Sequence, residues 1–137
     1  MHARGQILDA ILAALEGATS PATPVFEEDE TANDAPSFQY AVTGEVPVER
    51  ELTKRAGRSR SLALRVSAWG TTLDEREDLA EALELVLLDG ALGTAFDVVL
   101  VSVDLKRNGE GGQRIYSATY SLDVRYNTPR GAPGTLG

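Results

Sequence analysis

The sequence has 137 residues, of which 42% are hydrophobic and 25% charged, and these values are typical of one globular domain and not of a disordered or coiled-coil chain. Acidic residues number 21 against 13 Lys and Arg, a net charge of −8, which argues against a broad nucleic-acid-binding surface because phosphate affinity depends on Lys and Arg. Cysteine is absent and His2 is the single histidine. This composition argues against disulfides, the usual zinc sites and a Ser-His-Asp triad within one subunit.

Membrane insertion and secretion are not predicted. No apolar run approaches the ~20 residues that a bilayer-spanning helix needs. The N-terminal apolar stretch contains Asp9 and Glu16 and lacks the basic region and clean apolar core of a signal peptide. We therefore expect a soluble protein that folds in a reducing cytoplasm.

The first half of the chain predicts one helix and two or three strands. Residues 4–16 have apolar side chains at the i, i+3, i+4 spacing of a helix. The Pro-rich connection over residues 18–36 contains one short candidate strand at 24–26 and an acidic run at 27–30. Alternating patterns then predict strands at 38–48 and 62–69, joined by a polar, basic hairpin connection over 49–60.

The second half predicts a helix followed by a β-hairpin. Thr72 and Glu75 form a capping-box pattern that opens an amphipathic helix ending near Asp89 and Gly90. Residues 96–105 are dense in Val and Leu and predict a strand buried on much of both faces. A Gly-rich tip at 106–114, with Asn-Gly at 108–109, leads into a strand at 115–126.

This order predicts an α+β fold in which two helices pack on one face of a mainly antiparallel β-sheet, an α/β sandwich. We assign residues 1–128 to one domain and residues 129–137 to a flexible tail rich in Gly and Pro. The second face and the edges of such a sheet need cover. In a small protein, neighbouring copies can provide it.

Charged residues in three segments are the candidate site. The acidic run Glu27, Glu28, Asp29 and Glu30, with Asp34 nearby, could bind Mg²⁺ or Ca²⁺, but it lacks the ligand ladder of a calcium loop. A solvated loop or an interface patch is the favoured interpretation of that run. The basic residues of the other two segments are Arg50, Lys54, Arg55, Arg58 and Arg60 in the first loop and Lys106, Arg107 and Arg114 in the second.

The hypothesis for these residues is that a basic loop of one subunit contacts the acidic loop of a neighbouring subunit. For the first basic loop, phosphate binding and a merely solvated loop remain open. The Gly-rich tip lacks the helix and the Gly-Lys-Ser/Thr of a phosphate loop. Tyr116, Tyr120 and Tyr126 alternate along one strand, which favours packing over a base-stacking platform. Taken alone, these patterns specify no chemistry.

Several segments together resemble a known family. They are the N-terminal helix at 4–16, the Pro-Val-Phe-Glu-Glu step at 24–28, the strand ending in Val-Thr-Gly-Glu at 42–45, the acidic strand–helix unit and the C-terminal hairpin at 103–126. In this order they resemble the tail terminators (minor tail U proteins) of lambda-like bacteriophages and the related tail completion proteins of prophages and gene transfer agents. The resemblance covers residues 4–127. The chain departs from the lambda protein in a longer basic loop and in its C-terminal tail.

The resemblance implies a structural virion protein with no catalytic residues, metal or cofactor. Its relatives assemble as a homohexameric ring on the tail-tube protein, at the head-proximal end of a non-contractile tail put together in the bacterial cytoplasm. The ring stops tube growth at the length set by the tape measure protein and offers a docking surface to the head-tail connector. DNA would pass through the lumen without specific binding, in keeping with the acidic composition.

Two alternatives stay open from the residues. One is another head-tail connector or neck protein of the same kind of particle. The other is a carboxylate-dependent metal-binding enzyme that uses the acidic segment at residues 27–34. An acidic DNA mimic fits the charge pattern less well, because the acidic residues cluster in one loop and one helix start.

Overall fold

A computed structural model describes residues 2–28, 35–47, 58–89, 96–110 and 113–128. These residues form two helices and five strands. The elements in chain order are α1 (Ala3–Glu16), β1 (Val25–Glu27), β2 (Ser37–Pro47), β3 (Arg58–Gly70), α2 (Leu73–Leu87), β4 (Phe96–Glu110) and β5 (Gln113–Thr128). The predicted α+β class is confirmed. The flexible tail predicted at 129–137 lies outside the described residues.

The five strands form one sheet in the order β1-β2-β3-β5-β4. The short strand β1 runs parallel to β2, and every other neighbouring pair is antiparallel. Both β-bulges change which side chains face the helices. An extra residue enters β2 between Val42 and Gly44, and another enters β4 between Leu100 and Ser102.

Both helices pack on the same face of the sheet, and the core lies between them. Ile7, Ile11 and Leu15 of α1 and Leu83 of α2 are fully buried. They meet alternate residues of the two central strands, namely Leu62, Leu64, Val66 and Ala68 of β3 and Ala118, Tyr120, Leu122 and Val124 of β5. The period-two alternation of these strands therefore defines a helix-side face and an opposite face. The opposite face carries small polar residues such as Ser67 and Thr119, whose hydroxyls lie 2.9 Å apart.

Helix α2 begins at the predicted cap, with one difference. Thr72 Oγ1 accepts a hydrogen bond from the Glu75 N–H at 3.1 Å, as expected. The Glu75 carboxylate accepts from the backbone N–H of Thr71, at 2.8 Å, where the capping-box pattern predicted the N–H of Thr72. At the start of α2, side chains therefore accept hydrogen bonds from the N–H groups of Thr71 and Glu75.

Three strands, β3, β4 and β5, are longer than the sequence predicted. Arg58 and Arg60, assigned to the first basic loop, lie inside β3, which is longer than the predicted 62–69. Lys106, Arg107 and Arg114, assigned to the Gly-rich tip, lie within β4 and β5. The cause is continuous backbone pairing: β3 pairs with β5 along its whole length, and β4 pairs with β5 as far as Glu110 and Gln113. These residues are polar, so no alternation of apolar and polar side chains marks them as strand in the sequence.

Candidate assembly surface

Strand β4 forms one edge of the sheet, and its outer backbone edge has no partner strand within the described residues. The sequence predicted burial on much of both faces of this strand, and that prediction is wrong for the single chain. Five apolar side chains between Val99 and Leu105 are at least 36% exposed, namely Val99, Leu100, Val101, Val103 and Leu105. A long apolar edge strand is a template for pairing or packing with another chain.

The bulge in β4 explains why its apolar run predicted a strand buried on both faces. Before the bulge, Phe96 and Val98 lie across from Tyr126 and Val124 on the helix-side face. After it, Val103 and Leu105 occupy that same face, although they differ in parity from the earlier pair. Neither helix reaches this far, so Leu105 is 61% exposed. The uncovered stripe is thus the continuation of the core face.

The end of the β4–β5 hairpin projects past the rest of the sheet. Strand β3 ends at Gly70, which lies across from Tyr116, and beyond that point β4 and β5 pair only with each other. Arg114 lies on this projection, Lys106 and Arg107 lie beside its base, and all three are exposed. Among the described residues, no acidic side chain forms an ion pair with these three. The described acidic side chains therefore do not compete with a partner for the second basic segment.

The opposite edge of the sheet is also partly open. Within the described residues, strand β1 pairs with β2 at Phe38, Gln39 and Tyr40 and no further. Beyond them Val42 and Val46 are 46% and 60% exposed. One copy of the chain therefore presents two unlike sheet edges, which is what a head-to-tail contact between copies requires.

The acidic segment is only partly described. Glu27 ends β1, and Glu28 binds Arg65 of β3 through a bidentate ion pair, with Nε–Oε1 at 2.8 Å and Nη2–Oε2 at 2.5 Å. Asp29 and Glu30 lie outside the described residues. The intersubunit role predicted for this segment stays a prediction.

The first basic loop is likewise only partly described. Arg50, Lys54 and Arg55 lie outside the described residues. Arg60 is half-buried, and its Nη1 lies 3.5 Å from Glu45 Oε2 of the same chain. The pairing of this loop with the acidic segment across an interface therefore also stays a prediction.

Glu45 is the centre of a polar cluster that the sequence did not predict. The bulge in β2 places Glu45 on the helix-side face, across from Leu62. There its carboxylate accepts a hydrogen bond from the Tyr126 hydroxyl and lies 3.5 Å from both Arg4 Nε and Arg60 Nη1. Burial first, and then the hydrogen bond to Glu45, raise the pKa of Tyr126 to about 12. The cluster joins the start of α1 to three strands.

The tyrosines predicted to pack do so. Tyr120 and Tyr126 are buried, at 3% and 4% exposure, and Tyr116 is half-buried. Burial, reinforced by the charge of Glu84, raises the pKa of Tyr120 to about 12. The rings of Tyr120 and Tyr126 belong to the core, so the three tyrosines do not form an exposed stacking platform.

Two negative observations concern only the described part of the chain. No group of three or more His, Asp or Glu side chains there is close enough to bind a metal ion. No helix there is both long and apolar enough to cross a membrane.

The comparisons with known proteins show a likeness of fold. No protein-family model matches the sequence, and no curated protein matches it. The fold is similar to a chain in the solved structure of the virion of a native gene transfer agent particle, with a TM-score of 0.62 and 13% sequence identity. The similarity covers 88% of this chain and 93% of that chain. At this identity it shows a shared fold across nearly the whole domain.

Proposed function

We propose that this protein is a structural virion protein that caps the end of a non-contractile, phage-type tail tube. In this role it forms a homohexameric ring on the last ring of tube subunits at the head-proximal end of the tail. The ring stops tube polymerisation and offers a docking surface to the head-tail connector. The role needs neither catalysis nor a cofactor.

The observation that carries this proposal is the fold similarity to a chain of a gene transfer agent virion. It extends over 88% of this chain, so it takes in most of the domain and not one common supersecondary motif. The segments over residues 4–127 that resemble tail terminators lie in the same part of the chain. Fold similarity and sequence resemblance therefore favour the same class of particle from different observations.

The exposed surface supports assembly into a closed ring. In the described part of the chain, strand β4 presents an unpaired, apolar edge with Leu105 61% exposed, and β2 presents a second, different edge at Val46. Two unlike surfaces that bind each other generate rings when the rotation closes. Apolar burial would provide most of the association energy, because exposed ion pairs contribute only ~0–1 kcal/mol each.

The net charge supports a channel that DNA passes without adhering. Each chain carries −8, and a ring of acidic subunits repels a polyanion instead of binding its phosphates. A lumen lined by neutral or basic residues in an assembled ring would contradict this part of the proposal.

Localisation on a tail tests the proposal. The protein is labelled with gold, mixed with tail tubes of its own particle, and viewed by electron microscopy. We expect label at one end of each tube. Label found only on isolated neck or connector complexes, and never on tubes, would instead identify a different head-tail joining protein. Label along the whole tube would contradict both roles.

A further inference from the structure

The end of β4 carries an apolar-to-basic stripe on its helix-side face. Leu105 and Arg107 lie across from Ala118 and Tyr116 of β5, and Ala118 belongs to the core on that face. Arg114 lies two residues before Tyr116, so it points to the same side. Leu105 is 61% exposed and both arginines are exposed. No described helix of the chain covers this stripe.

Helix α2 carries the complementary stripe on its outer side. Asp74, Asp78, Glu81 and Leu85 follow one another at spacings of four, three and four residues, which aligns them along one side of a helix. All four are exposed, Leu85 at 55%. Within the described residues, no Lys or Arg forms an ion pair with the three acidic side chains.

The two stripes match in spacing as well as in charge. Along β4, Arg107 lies about 7 Å from Leu105, at ~3.4 Å per strand residue. Arg114 lies across from Gly109, which is about 14 Å from Leu105 along the strand. Along α2, Glu81 lies about 6 Å from Leu85, and Asp78 and Asp74 lie about 10 and 16 Å away, at 1.5 Å per helix residue. With the two leucines in register, Arg107 falls beside Glu81, and the row of Arg114 falls between Asp78 and Asp74.

One chain cannot bring its own two stripes together. The buried side of α2, which includes Leu79, Leu83 and Leu87, faces the sheet. These residues lie on the opposite side of the helix from Asp78, Glu81 and Leu85. The acidic stripe therefore points away from the β4 of its own chain, and a contact between the stripes requires a second copy.

We propose that the stripe on the β4–β5 hairpin of one copy binds the outer stripe of α2 in a second copy. The incoming helix then extends the helix layer over the uncovered part of β4. Because the two surfaces differ, each copy can bind one neighbour through its hairpin stripe and another through its α2 stripe, as a ring requires. The pairing of copies stands on these stripes alone, whereas closure into six rests on the proposed function.

Cross-linking tests this contact cleanly because the natural chain has no cysteine. One preparation carries Leu105→Cys and another carries Leu85→Cys, and the two are mixed with a short bifunctional maleimide. We expect a covalent dimer in the mixture, well above the level in a mixture of Leu105→Cys with Asp9→Cys, whose thiol would lie on the exposed side of α1. Yields equal to this control would overturn the proposal.

Charge reversal tests the register. Arg107→Glu with Arg114→Glu in the Leu105→Cys chain should lower the dimer yield about tenfold, since two attractions become repulsions. Adding Asp78→Lys and Glu81→Lys to the Leu85→Cys chain should recover most of the loss. Circular dichroism of each variant confirms folding. A yield that the reversals leave unchanged, in folded variants, would refute the charge pairing.

The same variants separate this contact from the proposed function. Strong cross-linking in a protein that does not bind tail tubes would support the contact and remove the tail role. Capping of tubes by a protein whose stripes do not cross-link would support the tail role and remove the contact.

Discussion

The hydroxyl of Tyr126 on β5 donates a hydrogen bond to Glu45 on β2, across the intervening strand β3. Arg60 of β3 and Arg4 of α1 lie 3.5 Å from the other oxygen of the same carboxylate. This relationship depends on the bulge between Val42 and Gly44, since without it Glu45 would face the other side of the sheet. One acidic side chain thus connects three strands and the first helix.

We expect a loss of stability at alkaline pH that depends on Tyr126. Its pKa is about 12 in the folded chain against 10 in the unfolded chain, so its contribution is complete below pH 10 and is lost as the pH rises through 12. The contribution is roughly 1–3 kcal/mol. Denaturant unfolding of the wild type and of Tyr126→Phe at several pH values measures it, and the stability difference between them should shrink above pH 10. A constant difference would contradict the assigned pKa.

The Glu28–Arg65 pair should hold the short strand β1 on the sheet. Its two bonds cross over β2, where Ala41 lies beside Arg65 in the register. Glu28→Gln should cost about 0.5–1 kcal/mol in the free energy of unfolding and speed amide hydrogen exchange in residues 25–27. Glu16→Gln, at an exposed position of α1, is the matched control. Equal exchange in both variants would show that the pair does not hold β1.

Gly70 should be required where β3 turns into α2. A Cβ atom there would lie 2.6 Å from the Arg76 backbone nitrogen, which cannot move without shifting the first turn of the helix. Gly70→Ala should therefore destabilise the protein by about 1–3 kcal/mol. Gly44→Ala is the control, because nothing lies within 4 Å of its Cβ position, and it should change the free energy by less than about 0.5 kcal/mol. Thermal unfolding of both variants measures the contrast, and similar melting temperatures would contradict it.

The Thr72 cap should contribute a measurable part of helix stability. Thr72→Ala removes the acceptor for the Glu75 N–H and should cost about 1 kcal/mol. Thr72→Ser keeps the hydroxyl and should recover most of that loss. Urea unfolding of the three proteins provides the comparison, and a serine variant as unstable as the alanine variant would rule out the capping bond as the cause.

Apolar periodicity predicted the elements that carry the core. The i, i+3, i+4 spacing of α1 and the alternation of Leu62, Leu64 and Val66 correspond to the buried positions observed. The short strand β1 was predicted from Pro24, Val25 and Phe26, and it is present at Val25–Glu27. These features depend on local patterns, so one sequence is enough to find them.

The features that the sequence did not predict depend on pairing between distant segments. Arg58 and Arg60 have no local strand signal, and their strand conformation comes from pairing with Thr128 and Tyr126. The exposure of Val101 and Leu105 follows from the position of β4 at the sheet edge and from its bulge. A hydrophobic run indicates that a surface will be covered, but it does not tell whether the cover comes from the same chain or from another copy.

The growth of tail tubes measures the proposed role most directly. Tail-tube subunits of the same particle are polymerised with and without the purified protein, and tube lengths are measured by electron microscopy. We expect added protein to stop elongation and a ring of six copies to sit on the end of each arrested tube. Tubes that grow to the same lengths in its presence, with bare ends, would contradict it.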